Sequence, residues 1–221
     1  MRNAYFDQLD SIVDELVDMT QVVQVAVARA TQALLTADAE IAEKVISDDA
    51  AIDAARERVE ARSFELLALQ QPVASDLRML VAALRMVADL ERMGDLSVHV
   101  AKVARLRVPQ VAVPAEIVPT IERMATVAEK MVGTVAGIIA ERDVEGARQL
   151  EEDDEEMDQL RRSSFRLMLD DSWPHGVEPA VDIALLGRYY ERIADHAASL
   201  ARRIIYVVTG QFPEHEYWPQ P

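Results

Sequence analysis

The sequence predicts an all-α protein made of two tandem three-helix bundles related by internal duplication. Apolar residues recur three and four positions apart over long stretches, the period of one helix face. Strand signals are missing: glycine is scarce, with seven residues, and no β-branched run is bounded by turn residues. The chain also repeats itself. Asp89 to Ala104 (DLERMGDLSVHVAKVA) and Tyr189 to Ile204 (YYERIADHAASLARRI) share a core of Glu-Arg-apolar-small-Asp, at Glu91 to Asp95 and Glu191 to Asp195. Upstream, Asp48 to Asp53 (DDAAID) is matched by Asp153 to Asp158 (DDEEMD). Duplication on this scale means one supersecondary unit used twice.

Six helices follow in order. The first is expected over about 7–35, from the stripe Leu9, Ile12, Leu16, Met19, Val23, Val27, Ala30 and Leu34. Asp38 is the N-cap of a second helix running to about Leu69, where Gln71-Pro72 breaks the chain, because proline disfavours helix in the residue before it. The third runs over about 72–107. Pro109, Pro114 and Pro119 mark the linker between halves and the start of helix four, which ends near Arg142. Asp143 caps helix five, expected to end near Asp171. Trp173 to Gly176 forms the next break, and helix six runs over about 177–208 to a stop at Gly210.

A shift of 105 residues places Leu16 on Ile121, Met19 on Met124, Val27 on Val132, Leu34 on Ile139 and Asp38 on Asp143; helix six needs a shift of 100. The two units therefore divide as residues 1–108 and 109–221. Each is an up-down-up bundle whose helices of about 30 residues are about 45 Å long. The tail from Gln211 to Pro221 reads as extended or poorly ordered.

Composition narrows the function. A formal charge of −16 repels the nucleic-acid backbone and an anionic lipid surface, and suits a solvated surface, a basic partner or bound cations. There is no cysteine, hence no disulfide and no thiolate metal site. The N-terminus carries Asp7 and Asp10 where the apolar core of a signal peptide would run. The longest apolar stretch, Met131 to Ala140, is about half the ~20 residues needed to span a bilayer. A soluble, cytoplasmic protein with no direct membrane insertion is expected.

The recurring residues are carboxylates. Acidic residues four apart share a helix face, but chance alone supplies roughly seven such pairs in so acidic a chain. Recurrence at equivalent places in both halves sets four pairs apart, as do their positions on or beside apolar stripes. Asp49 and Asp53 on helix two would face Glu91 and Asp95 on helix three. Asp154 and Asp158 would face Glu191 and Asp195 in the second half. Carboxylates turned toward other helices need a partner. Arg56, Arg85, Arg92 or Arg192 would supply salt bridges; alternatively, four converging carboxylates would hold hard cations through oxygen ligands. Of the histidines, His196 follows Asp195 and points about 100° away from it, and His99 flanks the first motif; His175 and His215 read as solvated. Trp173 reads as a plug at the bundle end. There is no Gly-rich phosphate loop, no Glu-x-x-His pair and no Ser-His-Asp set with supporting context, so no enzyme is expected.

Gln71-Pro72-Val73-Ala74-Ser75-Asp76-Leu77-Arg78, followed by Asp89-Leu90-Glu91-Arg92-Met93-Gly94-Asp95 and by Glu191-Arg192-Ile193-Ala194-Asp195-His196, resembles the PhoU family over nearly the whole chain. The resemblance implies two tandem three-helix bundles. It implies a regulator of phosphate homeostasis that links the phosphate ABC transporter to a sensor histidine kinase, represses the phosphate-starvation response when phosphate is plentiful and acts on uptake. It further implies metal binding (Fe, Mn, Mg or Zn) at Asp49, Asp53, Glu91, Asp95, Asp154, Asp158, Glu191 and Asp195. Tyr189-Tyr190 replaces Asp89-Leu90 in the second repeat, so the two sites are expected to differ. Surplus apolar surface on long helices is expected to support a homodimer. A carboxylate-bridged metalloenzyme and a purely structural helical dimer are the alternatives.

Overall fold

The structure, a computed structural model, describes the backbone of residues 2–211 and the side chains of residues 5–150 and 155–211. The expectations for the tail beyond Gln211, for His215 and for the Asp154 side chain fall outside the described residues. The helices are α1 (Arg2–Thr36), α2 (Ala39–Gln70), α3 (Ala74–Arg107), α4 (Val118–Glu141), α5 (Val144–Met168) and α6 (Val177–Thr209).

Local chemistry sets the helix ends. Asp38 accepts from the Ile41 backbone N–H at 2.9 Å, and Asp143 accepts from Glu145 and Gly146 at 3.1 and 3.0 Å. Both satisfy donors that a helix start leaves open. The residues before these caps, Ala37 and Arg142, are equivalent under the 105-residue shift, and both are left-handed at φ 53°. α3 begins two residues later than the sequence suggests, because Gln71 closes α2 in a left-handed conformation and Val73 is extended. α5 ends earlier than expected. Beyond Met168 the Asp170 carboxylate accepts from the Ser172 backbone N–H (2.9 Å), a local turn that competes with another helical turn.

α1, α3, α4 and α6 form a ring of four, in which α1 packs on α3 and α4, and α6 packs on the same two helices. α2 lies outside on α1 and α3, and α5 outside on α4 and α6. Burial follows position: the outer α2 buries six residues in one stripe, from Ala42 to Leu66, whereas the central α3 buries fifteen. One apolar core runs through both repeats, from Leu16 and Met86 in the first to Met124 and Ile193 in the second. Each fully buried aliphatic side chain of this kind contributes about 1.5–3 kcal/mol. Among the described residues no helix is long and apolar enough to cross a membrane.

α3 and α6 run antiparallel across the middle. At one end Arg78 donates to the Val207 carbonyl (3.3 Å), and at the other Arg107 pairs with Asp182 (2.6 Å) and with Glu178. Between them lies a polar cluster that joins the repeats. Arg203 donates through Nε and Nη2 to one oxygen of Asp89 at 3.1 and 3.0 Å, and His196 Nδ1 lies 3.0 Å from the other. All three side chains are about 15% exposed. At the related position Tyr189 stacks on His99, with ring centroids 5.2 Å apart. Tyr190, fully buried, shares a 2.8 Å hydrogen bond with Thr31 of α1.

Removing Asp89 would strand a guanidinium in this seam. Asp89→Ala is expected to lower unfolding free energy by about 3 kcal/mol, read as a shift of the urea midpoint. A change within the ordinary surface range of about 0.5 kcal/mol would show that the cluster does not hold the repeats together.

Candidate functional site

The outer helices carry one half of each carboxylate set and the central helices the other. In the first repeat α2 comes close to α3 at Gly94. A Cβ there would fall 2.9 Å from Ile52 Cδ1 and 3.1 Å from an Asp49 carboxylate oxygen. The half-buried Asp49 is pressed against the α3 backbone by this approach. Its carboxyl is pushed up to about 6, first by burial and then by the charges of Asp95, Asp53 and Glu91, with Lys102 opposing. The four residues expected to face one another therefore do share one electrostatic neighbourhood.

Arginines partly neutralise that neighbourhood. Arg56 of α2 reaches Glu91 at 3.4 Å. Arg92 lies 3.7 Å from Glu91 and 3.2 Å from Asp95. Asp53 is exposed beside them. Among the described residues, no three His, Asp or Glu side chains converge tightly enough to hold a metal ion in this arrangement.

The second repeat keeps the frame and changes its balance. Glu191 is buried and accepts from Arg161 at 2.7 Å and from Arg188 at 2.5 Å. Arg161 is Arg56 shifted by 105 residues, and Glu191 is Glu91 shifted by 100, so the same interhelical ion pair recurs. Arg188 has no counterpart, since Ala88 stands in its place. Asp158 pairs with Arg162 on its own helix at 3.3 Å. The Asp195 carboxyl is raised by burial and by Glu191, against the opposing charges of Arg192, Arg188 and His196. In both repeats the arginine that crosses to α3 or α6 has a buried Nε–H without a hydrogen-bond partner, at Arg56 and at Arg161.

The salt-bridge expectation is met by Arg56 and Arg92 in the first repeat and by Arg192 near Asp195 (3.7 Å) in the second. Sequence reasoning missed Arg161 and Arg188 on Glu191, although Arg161 follows from the 105-residue shift applied to Arg56. It also missed the Asp89, His196 and Arg203 cluster. The signal for that cluster was Asp89 facing no carboxylate counterpart in the second repeat, where Tyr189 stands. His175, read as solvated, pairs with Glu116 of the linker. Trp173 packs part-buried against the core and donates its ring N–H to the Gly176 carbonyl at 2.8 Å.

Two three-helix repeats sharing one core make this an all-α tandem-repeat bundle. The PhoU domain matches residues 16–104 and again 121–204, and the chain belongs to the PhoU family. It is 47% identical over 213 residues to the phosphate-specific transport system accessory protein PhoU homolog 2 of Mycobacterium tuberculosis, covering 96% of this chain and 100% of that protein. It is 46% identical over 219 residues to PhoU homolog 1 of Mycobacterium leprae, covering 99% of each. Its fold superposes on the phosphate transport system regulatory protein PhoU from Streptococcus pneumoniae with a TM-score of 0.86, at 25% identity over 95% of this chain and 99% of that one. For PhoU from Pseudomonas aeruginosa the TM-score is 0.83, at 27% identity over 94% of this chain and 100% of that one.

The raised Asp49 carboxyl has a consequence for stability. A group whose folded value lies above its unfolded one binds extra protons in the native state, so stability falls as pH rises from about 4 through about 6. Asp49→Asn is expected to raise Tm by about 2–4 °C at pH 7.5 and by nothing at pH 4. An equal effect at both pH values would show that packing, not charge crowding, governs the position.

Proposed function

We propose that this chain is an accessory regulator of a phosphate-specific transport system. The observation that carries the reading is similarity over 96% or more of its length to proteins named as such accessories. The chain acts by contact, without catalysis. It couples the cytoplasmic side of the phosphate ABC transporter to a sensor histidine kinase, holds that kinase repressive when phosphate is plentiful, and adjusts uptake. It resides in the cytoplasm and reaches the inner face of the membrane through its protein partners.

In this reading the carboxylate rows take divalent or trivalent cations, with iron, manganese, magnesium and zinc as candidates. All-oxygen donor sets suit hard cations best. Asp49, Asp53, Glu91 and Asp95 form the better candidate set, because Glu91 meets its arginines only at 3.4 and 3.7 Å and Asp49 is crowded by like charge. Asp154, Asp158, Glu191 and Asp195 are the weaker set, since a cation at Glu191 must compete with two guanidinium groups already in contact. A second reading also has an observation behind it: Arg56 and Arg161 neutralise Glu91 and Glu191, so the carboxylates can serve as structural ion pairs alone.

Two experiments test these statements. A strain lacking the chain is expected to express phosphate-starvation genes in high phosphate, and the wild-type chain to restore repression. Full repression in its absence, with no second family member present, overturns the regulatory reading. Added Mn²⁺ is expected to raise Tm, less so below pH about 6 where Asp49 takes up its proton, and Asp49→Asn/Asp53→Asn to remove most of the effect. A Tm indifferent to Mn²⁺, iron, Mg²⁺, Zn²⁺ and chelator leaves the ion-pair reading.

A further inference from the structure

α1 and α2 leave a cavity of about 440 Å³ between them, floored by Gly94 and Val98 of α3. Its walls are apolar, with Val22, Val25 and Ala26 on α1 and Val45 and Ile52 on α2. Val22 and Val25 are each 47% exposed. Size and lining are those of a small-molecule site. The second repeat fills the related space. Under the 105-residue shift Ala26 becomes Met131 and Val45 becomes Leu150, both buried. Asp18 becomes Arg123, which reaches across to Glu156 of α5 at 2.5 and 2.9 Å. Ala51 stands at the position of Glu156, so this bridge has no counterpart over the first groove. Four charged side chains line the cavity: Asp18, Arg29, Asp48 and Asp49. Arg29 and Asp48 lie 3.7 Å apart and offset each other. Asp18 and Asp49 make no hydrogen bond or ion pair among the described residues.

These two open carboxylates stand well apart along the groove. α1 and α2 run antiparallel, with Arg29 opposite Asp48 and Ser11 2.8 Å from Arg62. That register sets Asp49 level with about Ala28 of α1, about ten residues from Asp18, or about 15 Å at the helical rise. Valines line the interval. We propose that this groove binds a linear aliphatic diammonium ion, with one cationic end on Asp18, the other on Asp49, and the methylene stem on Val22 and Val25. Each ammonium group supplies donors to a carboxylate that lacks one, in a charge-assisted hydrogen bond. Around Asp49 the charges of Asp95, Asp53 and Glu91 outweigh that of Lys102, so a cation is favoured there and an anion is repelled. A compact cation meets only one of the two carboxylates and leaves the apolar walls wet. Asp18 lies outside the carboxylate set proposed for metal ions, which keeps the two sites separable.

The test is calorimetric titration of the full chain at pH 7.5, with chelator present so that no metal competes at Asp49. The probes are dodecamethylenediamine, long enough to reach both carboxylates, and hexamethylenediamine, which is too short. The chains are wild type, Asp18→Asn and Ala26→Met/Val45→Leu, the last carrying the residues that fill the second repeat. One equivalent of the long diamine is expected to bind the wild type. Asp18→Asn is expected to weaken the long diamine about fivefold, as for an exposed ion pair, and to leave the short one nearly unchanged. Ala26→Met/Val45→Leu is expected to abolish binding of both without lowering Tm. If that double variant proves unstable, Asp18→Asn decides alone, since Asp18 is exposed and its loss leaves the fold intact. No binding to the wild type overturns the inference. So does uptake of several equivalents that neither chain length nor substitution alters, which is attraction to an acidic surface only. An Asp18→Asn effect that is absent, or equal for both diamines, overturns it too. None of these outcomes bears on the regulatory reading, which the strain experiment decides.

Discussion

α3 and α6 lie antiparallel through the centre of the molecule, and their seam, with α1 packed on α4 beside it, turns two three-helix units into one core. Without these two contacts each repeat would expose the apolar faces of its two inner helices. A single larger core removes a greater fraction of the chain's surface from water than two separate three-helix units would. The seam also fixes where polar groups can sit. Asp89 is tolerated inside it because Arg203 supplies two donors and His196 a further polar contact. A lone carboxylate there would be prohibitively costly.

The same electrostatic rule shapes the outer grooves. Each repeat sends one arginine from its outer helix to one glutamate of its central helix, Arg56 to Glu91 and Arg161 to Glu191. From that shared frame the repeats diverge. The second adds Arg188 and buries Glu191 under two cations, which makes a tight structural bridge. The first keeps Ala88 at the related position and leaves Glu91 in longer contacts. It opens Gly94 so that Asp49 can approach the α3 backbone among three other carboxylates. Duplication thus supplies one architecture with two charge balances, one closed and one with negative charge in excess.

Much of this was legible in residues alone. The three-and-four spacing from Leu9 to Leu34 announces α1, Asp38 and Asp143 announce the starts of α2 and α5, and Gly210 announces the end of α6. These are local effects, carried by one turn of helix or one side chain bonding its own backbone. The carboxylate register on α2 and α3 was also readable, because residues four apart share a face and the pairs recur.

By itself the sequence determined the helices, their order, the repeat and the residues placed on facing sides. Tertiary structure decided which cation meets which carboxylate. Asp89 and Arg203 stand 114 positions apart, and Arg107 and Asp182 stand 75 apart. Such partners are chosen by how whole helices cross, and no periodicity along one helix encodes that. The fold also separates Glu191, held by Arg161 from α5 as well as by Arg188 three residues before it, from Asp49, crowded by like charges. A carboxylate's character depends on burial and on the charges that packing brings within a few ångströms.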